Sequence, residues 1–91
     1  MPFVYILRCG DGSLYTGVTT DLTRRLAEHA AGRGARYTRG RLPVALVWSR
    51  RVTAWGGALR EEHRIKRLSR AAKLLLVGQP RGARRRPGGT A

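Results

Sequence analysis

The sequence predicts an α+β domain, a small antiparallel sheet covered by helices in the order β-β-α-β-α-α. Three observations predict it. Two short runs rich in apolar, aromatic and β-branched residues, Phe3–Leu7 and Leu14–Thr19, flank an Asp-Gly pair, which is the pattern of a β-hairpin. A third apolar run, Val44–Trp48, stands between stretches of helical character. The length of 91 residues allows one domain with one modest core.

Phe3–Leu7 is too short for a helix and has the residue types of a strand. Gly10-Asp-Gly-Ser13 turns the chain, and Leu14–Thr19 returns antiparallel. Tyr5 and Tyr15 then lie on neighbouring strands, where their rings can share a face. Thr20 or Asp21 offers an oxygen to the free amides of a first helical turn. The helix runs from Asp21 to near Ala31, with Gly32 as a left-handed stop. Leu22 and Leu26 share its buried face. Arg25 and His29, also four residues apart, emerge about 60° to one side of that stripe. Their Cβ atoms fall about 5–6 Å apart, so both can reach one phosphate beside the Tyr15 strand. Arg24 and Glu28 point to water.

Gly32–Arg41 is a loop rich in glycine and arginine. Its glycines admit a ligand close to the backbone, and Arg33, Arg36, Arg39 and Arg41 are candidate phosphate contacts. Tyr37 is placed either to stack on a base or to plug the core. Pro43 opens the third strand, whose unbroken apolar character predicts a central position in the sheet. The second helix spans about Ala58 to Leu68, with Ala58, Leu59, Ile65 and Leu68 on its apolar face. Glu62 falls among them and Glu61 closer to the rim. A carboxylate on an apolar face is costly unless paired or metal-bound, and a salt bridge to one of the many arginines is the structural alternative. Ser69 caps a third helix, Arg70–Val77, which Gly78 ends. Residues 79–91 have almost no apolar content and are expected to form a disordered basic arm, outside a folded domain of residues 1–78, adding salt-sensitive affinity.

The net charge is +14, from 19 Lys and Arg against 5 Asp and Glu, and only Lys66 and Lys73 are lysines. Arginine grips phosphate through a planar fork, so the excess points to nucleic acid as partner. Cys9 is the lone cysteine, which excludes a disulfide framework and a cysteine zinc site. It is read as a small buried hydrophobe. No run approaches the roughly 20 apolar residues of a spanning helix, and Phe3–Leu7 is too short for a signal peptide. A soluble, cytoplasmic protein without membrane partners is therefore expected.

Tyr5, Tyr15, Arg25, His29 and Glu62 are the residues with chemistry to offer. With them in place the sequence resembles the GIY-YIG nuclease family, and within it the small stand-alone bacterial, YhbQ-like members. Phe3-Val-Tyr5 and Tyr15-Thr-Gly17 are the two half-motifs. Asp21-Leu-Thr-Arg-Arg-Leu-Ala-Glu-His29 matches the family helix, in which an Arg and a His follow at this spacing. Gly34–Arg39, Glu62–Lys66 and Leu68–Arg70 resemble the loop and later helices of the stand-alone subgroup, so the match spans about Phe3 to Val77. Three departures stand out: Phe3 where the family name has Gly, Thr16 where it has Ile, and no Asn anywhere in the chain. Several family nucleases use an Asn near the domain's end, and here Ser69 or Lys66 would replace it.

The resemblance implies a three-stranded antiparallel sheet flanked by helices and cleavage of a nucleic-acid phosphodiester with one divalent metal. Tyr5 and Tyr15 become the motif tyrosines, Arg25 the phosphate-binding arginine, His29 its helix partner and Glu62 the metal ligand. The expected activity is a metal-dependent endonuclease acting on DNA sooner than RNA, with Mg²⁺ or Mn²⁺ held weakly until substrate arrives and no small-molecule cofactor. Tyr5 is the first candidate for the base, with Tyr15 orienting water; the reverse is open. The alternatives are a module that binds DNA or RNA without cutting it, and a small ribosome- or nucleoid-associated protein.

Overall fold

The Asp-Gly pair turns the chain where expected. Gly12 takes a positive φ of 86°, a conformation open to glycine at little cost. Cys9 N–H donates to the Ser13 carbonyl at 2.8 Å, and Asp11 Oδ1 accepts from the Ser13 amide at 3.0 Å. The computed structural model describes residues 1–78; the basic arm read at 79–91 lies outside the described residues. The elements are β1 (Phe3–Arg8), β2 (Leu14–Thr19), α1 (Leu22–Ala30), α2 (Arg36–Arg39), β3 (Ala45–Arg51), α3 (Trp55–Lys66) and α4 (Arg70–Val77). They form the α+β architecture the sequence predicts, with one three-stranded antiparallel sheet.

The order of that sheet is β2-β1-β3, so the third strand is an edge and not the centre. β1 is central because its side chains are covered on both faces: Val4, Tyr5, Ile6 and Leu7 are each at most 1% exposed. Val47 and Trp48 of β3 pack on the core, while Leu46 is exposed. Continuous apolar character in β3 therefore does not mean burial on two faces. Its cationic end, Arg50 and Arg51, is exposed and blunts the free edge against pairing.

One face of β1 carries the main core. Val4 and Ile6 pack with Ala58 and Ile65 of α3, ringed by Leu14, Val18, Val47, Trp48, Val52, Leu76 and Val77. The other face presents Tyr5 and Leu7. Asp21 caps α1 by accepting from Arg24 N–H at 3.0 Å, and Gly32 at φ 78° follows its end. α3 begins three residues before the predicted Ala58. Two glycines at its start argue against helix on propensity, yet Ala58 N–H closes the first turn onto Ala54 O at 3.1 Å. The arginine-rich loop contains the one-turn α2, which the sequence did not signal. It folds back onto the hairpin, where Gly10 N–H donates to Arg41 O at 2.6 Å and Arg41 Nε meets Asp11 Oδ2 at 3.0 Å.

Candidate active site

The strand register sets the two motif tyrosines. Tyr5 lies opposite Gly17, and Leu7 opposite Tyr15. Tyr15 is thus the diagonal neighbour of Tyr5 on the same sheet face, within reach of an aromatic ring. Their ring centroids are 6.4 Å apart in an edge-to-face arrangement at 74°. Gly17 is what lets the Tyr5 ring lie across β2. A Cβ there would stand 2.5 Å from the Tyr5 hydroxyl oxygen and 2.6 Å from Cζ.

From α1, His29 enters the same space and is fully buried. Its ring lies 5.8 Å from Tyr5 and 5.5 Å from Tyr15. Gly34 makes room for it, since a Cβ at that position would collide with His29 Nδ1. The hydrogen bonds around His29 have a fixed direction. Thr38 Oγ1 lies 2.9 Å from the Ala35 carbonyl, which can only accept, so the single Thr38 hydroxyl hydrogen is spent there. Toward His29 Nδ1, at 2.9 Å, Thr38 must then accept, and Nδ1 carries the ring proton. Nε2 is left bare and accepts from the Tyr5 hydroxyl at 2.9 Å. The chain runs from Tyr5 O–H to His29 to Thr38 to the Ala35 carbonyl.

Burial, reinforced by the nearby Arg25 charge and opposed by Glu28, pushes the His29 pKa below its ordinary 6.5. His29 is therefore a neutral acceptor near pH 7. Burial also raises Tyr5 above 10.0; Arg25 beside its hydroxyl opposes the rise, while Tyr15 and Glu62 add to it. Tyr5 rests as a phenol.

Arg25 is half-buried and held by Glu28 at 2.8 Å. Glu28 also meets Arg24 at 3.4 Å, so it turns back onto both guanidiniums instead of pointing away to water. On α3, Glu62 is half-buried, near enough for its charge to act on Tyr5, and paired with Lys66 Nζ at 3.1 Å. Lys66, one candidate for the missing Asn, is thus beside the carboxylate. Ser69, the other, accepts from Ala72 N–H as the cap of α4. The helical wheel ranked Glu61 nearer the rim than Glu62. In the fold the Glu61 side chain is 15% exposed against 21% for Glu62, because Arg50 and Arg64 clamp it at 3.0 and 2.8 Å.

The loop residues divide. Arg33, Arg36 and Arg39 are exposed. Arg41 is engaged with Asp11, with the Tyr37 carbonyl at 2.9 Å and with the Tyr37 ring, 4.0 Å from its centroid. Tyr37 stacks on Tyr15 at 5.8 Å and 27° and still keeps 38% of its surface exposed. Sequence reasoning missed Thr38, Gly34 and the full role of Gly17. Only the glycine of the second half-motif carried a signal; a threonine nine residues beyond the histidine has no periodic relation to it.

Residues 1–74 match the family profile described as the GIY-YIG catalytic domain. The chain belongs to the GIY-YIG family. It is 54% identical over 80 residues to a UPF0213 protein of Natronomonas pharaonis, spanning 88% of this chain and 94% of that one. A UPF0213 protein of Streptococcus sanguinis is 48% identical over 82% of this chain and 86% of its own. The solution NMR structure of the UPF0213 protein BH0048 from Bacillus halodurans superposes with a TM-score of 0.59, at 49% identity, covering 90% of this chain and 88% of that chain. The protein is thus a small GIY-YIG protein of the UPF0213 kind, and its two half-motifs are the paired strands that bring Tyr5, Tyr15 and Gly17 together. GIY-YIG is a family of nuclease domains. Among the described residues no helix is long and apolar enough to cross a membrane.

Proposed function

We propose that this GIY-YIG protein is a metal-dependent endonuclease that hydrolyses phosphodiester bonds of DNA. The observation that supports it is the directed chain from Tyr5 through His29 to Thr38, set beside the Arg25 guanidinium. A binding surface has no use for a buried histidine kept neutral with one bare nitrogen facing a phenol. Hydrolysis does, because the attacking water has to lose a proton.

Tyr5 takes that proton at its oxygen as its own hydroxyl proton passes to His29 Nε2. The raised pKa of Tyr5 suits such a relay, which never requires a free phenolate in the resting protein. The imidazolium that forms keeps its Nδ1–H bond to Thr38. Tyr15, in contact with both Tyr5 and His29, orients the water. Arg25 offsets charge building on the phosphoryl oxygens.

Among the described residues no group of three or more His, Cys, Asp or Glu side chains could hold a metal ion. The donor set at the site is the Glu62 carboxylate, half-buried and near Tyr5. One carboxylate fits a Mg²⁺ or Mn²⁺ ion that draws its remaining ligands from water and substrate phosphate, provided Lys66 releases it. Such an ion would supply Lewis-acid stabilisation of the phosphoryl oxygens. The Glu62–Lys66 pair also favours a second reading, a module that binds nucleic acid without cutting it.

Purified full-length protein incubated with plasmid, single-stranded DNA and structured RNA, in Mg²⁺ or in EDTA, separates the two. Cutting that disappears in Arg25→Ala, Glu62→Ala and EDTA supports the enzyme. Salt-sensitive retention of intact strands, equal in both variants, establishes the binder instead.

A further inference from the structure

A groove of about 360 Å³ has Arg25, but none of the tyrosines, in its wall. Its walls are the end of β2 (Val18 to Thr20), the first turns of α1 (Asp21, Arg24, Arg25 and Glu28) and Trp55 at the start of α3. That volume lies within the roughly 300–1,000 Å³ typical of sites for one small ligand. Trp55 is 48% exposed there, although indole is the side chain with most to gain from burial. Trp48, by contrast, packs on the core.

We infer that this groove is a subsite for one unpaired base of the nucleic-acid strand next to the scissile phosphate, stacked on Trp55. The inference rests on the hydrolytic reading above and extends it to the form of the substrate. Arg25 belongs both to the groove and to the Tyr5 cluster, so a strand whose phosphate sits on Arg25 continues into the groove. Local charge selects the base over the phosphate as occupant. The lining carries two arginines, Arg24 and Arg25, and two carboxylates, Asp21 and Glu28, and Glu28 holds both guanidiniums, which leaves a near-neutral groove that also includes the apolar Val18 and Trp55. The Arg24 side chain is 77% exposed and its pair with Glu28 is the longer one at 3.4 Å, so a phosphate at the rim can compete with Glu28 for it. A base within a duplex already has both faces stacked, so the groove admits only a base that is unpaired or turned out of the helix.

The test uses the full chain in EDTA, where binding is read without cleavage. Fluorescence anisotropy is measured on an oligothymidylate of about 12 nucleotides, within the site size of a small single-strand-binding fold, and on a duplex of equal length. Trp55→Ala is expected to weaken single-strand binding by about fivefold or more, the lower end of base–aromatic stacking, and to leave duplex binding unchanged. Trp55→Phe keeps most of the affinity. The oligonucleotide quenches tryptophan fluorescence of the wild type and not of Trp55→Phe, which retains only Trp48. Equal single-strand affinity in wild type and Trp55→Ala, or equal losses on both ligands, overturns the subsite, as does a wild type that binds neither. Cleavage in Mg²⁺ is scored separately. Strands that are bound through Trp55 but never cut refute hydrolysis and leave the subsite standing; cutting indifferent to Trp55 refutes the subsite alone.

Discussion

Replacing Thr38 with Val tests the proton chain at its anchor. The substitution keeps the shape of a fully buried side chain and deletes only the oxygen that accepts from His29 Nδ1–H at 2.9 Å and donates to Ala35 O at 2.9 Å. It leaves the buried Nδ1 without a hydrogen-bond partner in either tautomer of the ring, a loss of about 1–3 kcal/mol. For a domain of this size each kcal/mol lowers Tm by about 4–8 °C, so a loss near ~2 kcal/mol lowers it by about 8–16 °C. Thr38→Ser, which keeps the hydroxyl, should recover most of that. The chemical consequence is larger. With Nδ1 no longer favoured, the proton moves to Nε2 and His29 becomes a donor toward Tyr5, which reverses the relay. If the protein cuts DNA, cutting by folded Thr38→Val should fall by about 100-fold or more, the scale of a lost general base. ¹⁵N NMR of the imidazole reads the tautomer directly, with the wild type expected to be protonated at Nδ1. A wild-type ring protonated at Nε2, or a Thr38→Val protein that melts and cuts like wild type, would show that the direction assigned to the chain is wrong.

Three more outcomes follow from the packing. Gly17→Ala drives a methyl into the Tyr5 ring, whose nearest atoms stand 2.5–2.8 Å from the new carbon; overpacking of this kind is worth about 1–3 kcal/mol, and denaturant melts should show that loss. Thr16 is 3% exposed, and its hydroxyl has no hydrogen-bond partner among the described residues, so Thr16→Val should raise stability by about 1 kcal/mol, measured in the same way. His29 has a depressed pKa in the fold, so above its ordinary 6.5 neither folded nor unfolded protein binds the proton and no pH dependence arises. Below 6.5 the unfolded chain takes up the proton first, and stability falls as pH drops toward the folded value. The carboxylates whose pKa values are lowered by their partners, Asp11, Glu28 and Glu61, act only below their ordinary 3.8–4.5. Tm of the wild type should therefore decline between about pH 6.5 and 4.5, while His29→Gln stays flat across that window.

Local patterns carried the hairpin, the capped α1 and the shared face of Arg25 and His29, because turn chemistry and helical period act within a few residues. What they could not carry is pairing between distant segments. The apolar run of β3 says nothing about which strand lies beside it, and only the two-sided burial of β1 makes β1 the centre of the sheet. A helical wheel treats α3 as if it stood alone. Arg50, arriving from β3, draws Glu61 inward and reverses the ranking against Glu62. The same limit hid Thr38, whose meaning comes from a ring reached through a loop turned back by Gly32 and opened by Gly34.

The departures from the family pattern differ in kind once they are placed. Thr16 stands opposite Ile6 in the register, so it faces the apolar core side of the sheet and not the Tyr5 side. Putting a hydroxyl where the family carries Ile penalises stability and leaves the proton chain untouched. The missing Asn is different, because Lys66 lies against the very carboxylate that would hold the ion. While that ion pair persists, the ammonium occupies the place where a cation would bind. If the protein is the metal-dependent nuclease proposed above, its activity should depend on substrate phosphates drawing Lys66 away. Lys66→Gln would remove the competitor, and cutting by that variant should need less Mg²⁺ than the wild type needs. If Lys66→Gln needs as much Mg²⁺ or more, Lys66 is an aid to the reaction instead of a rival for Glu62.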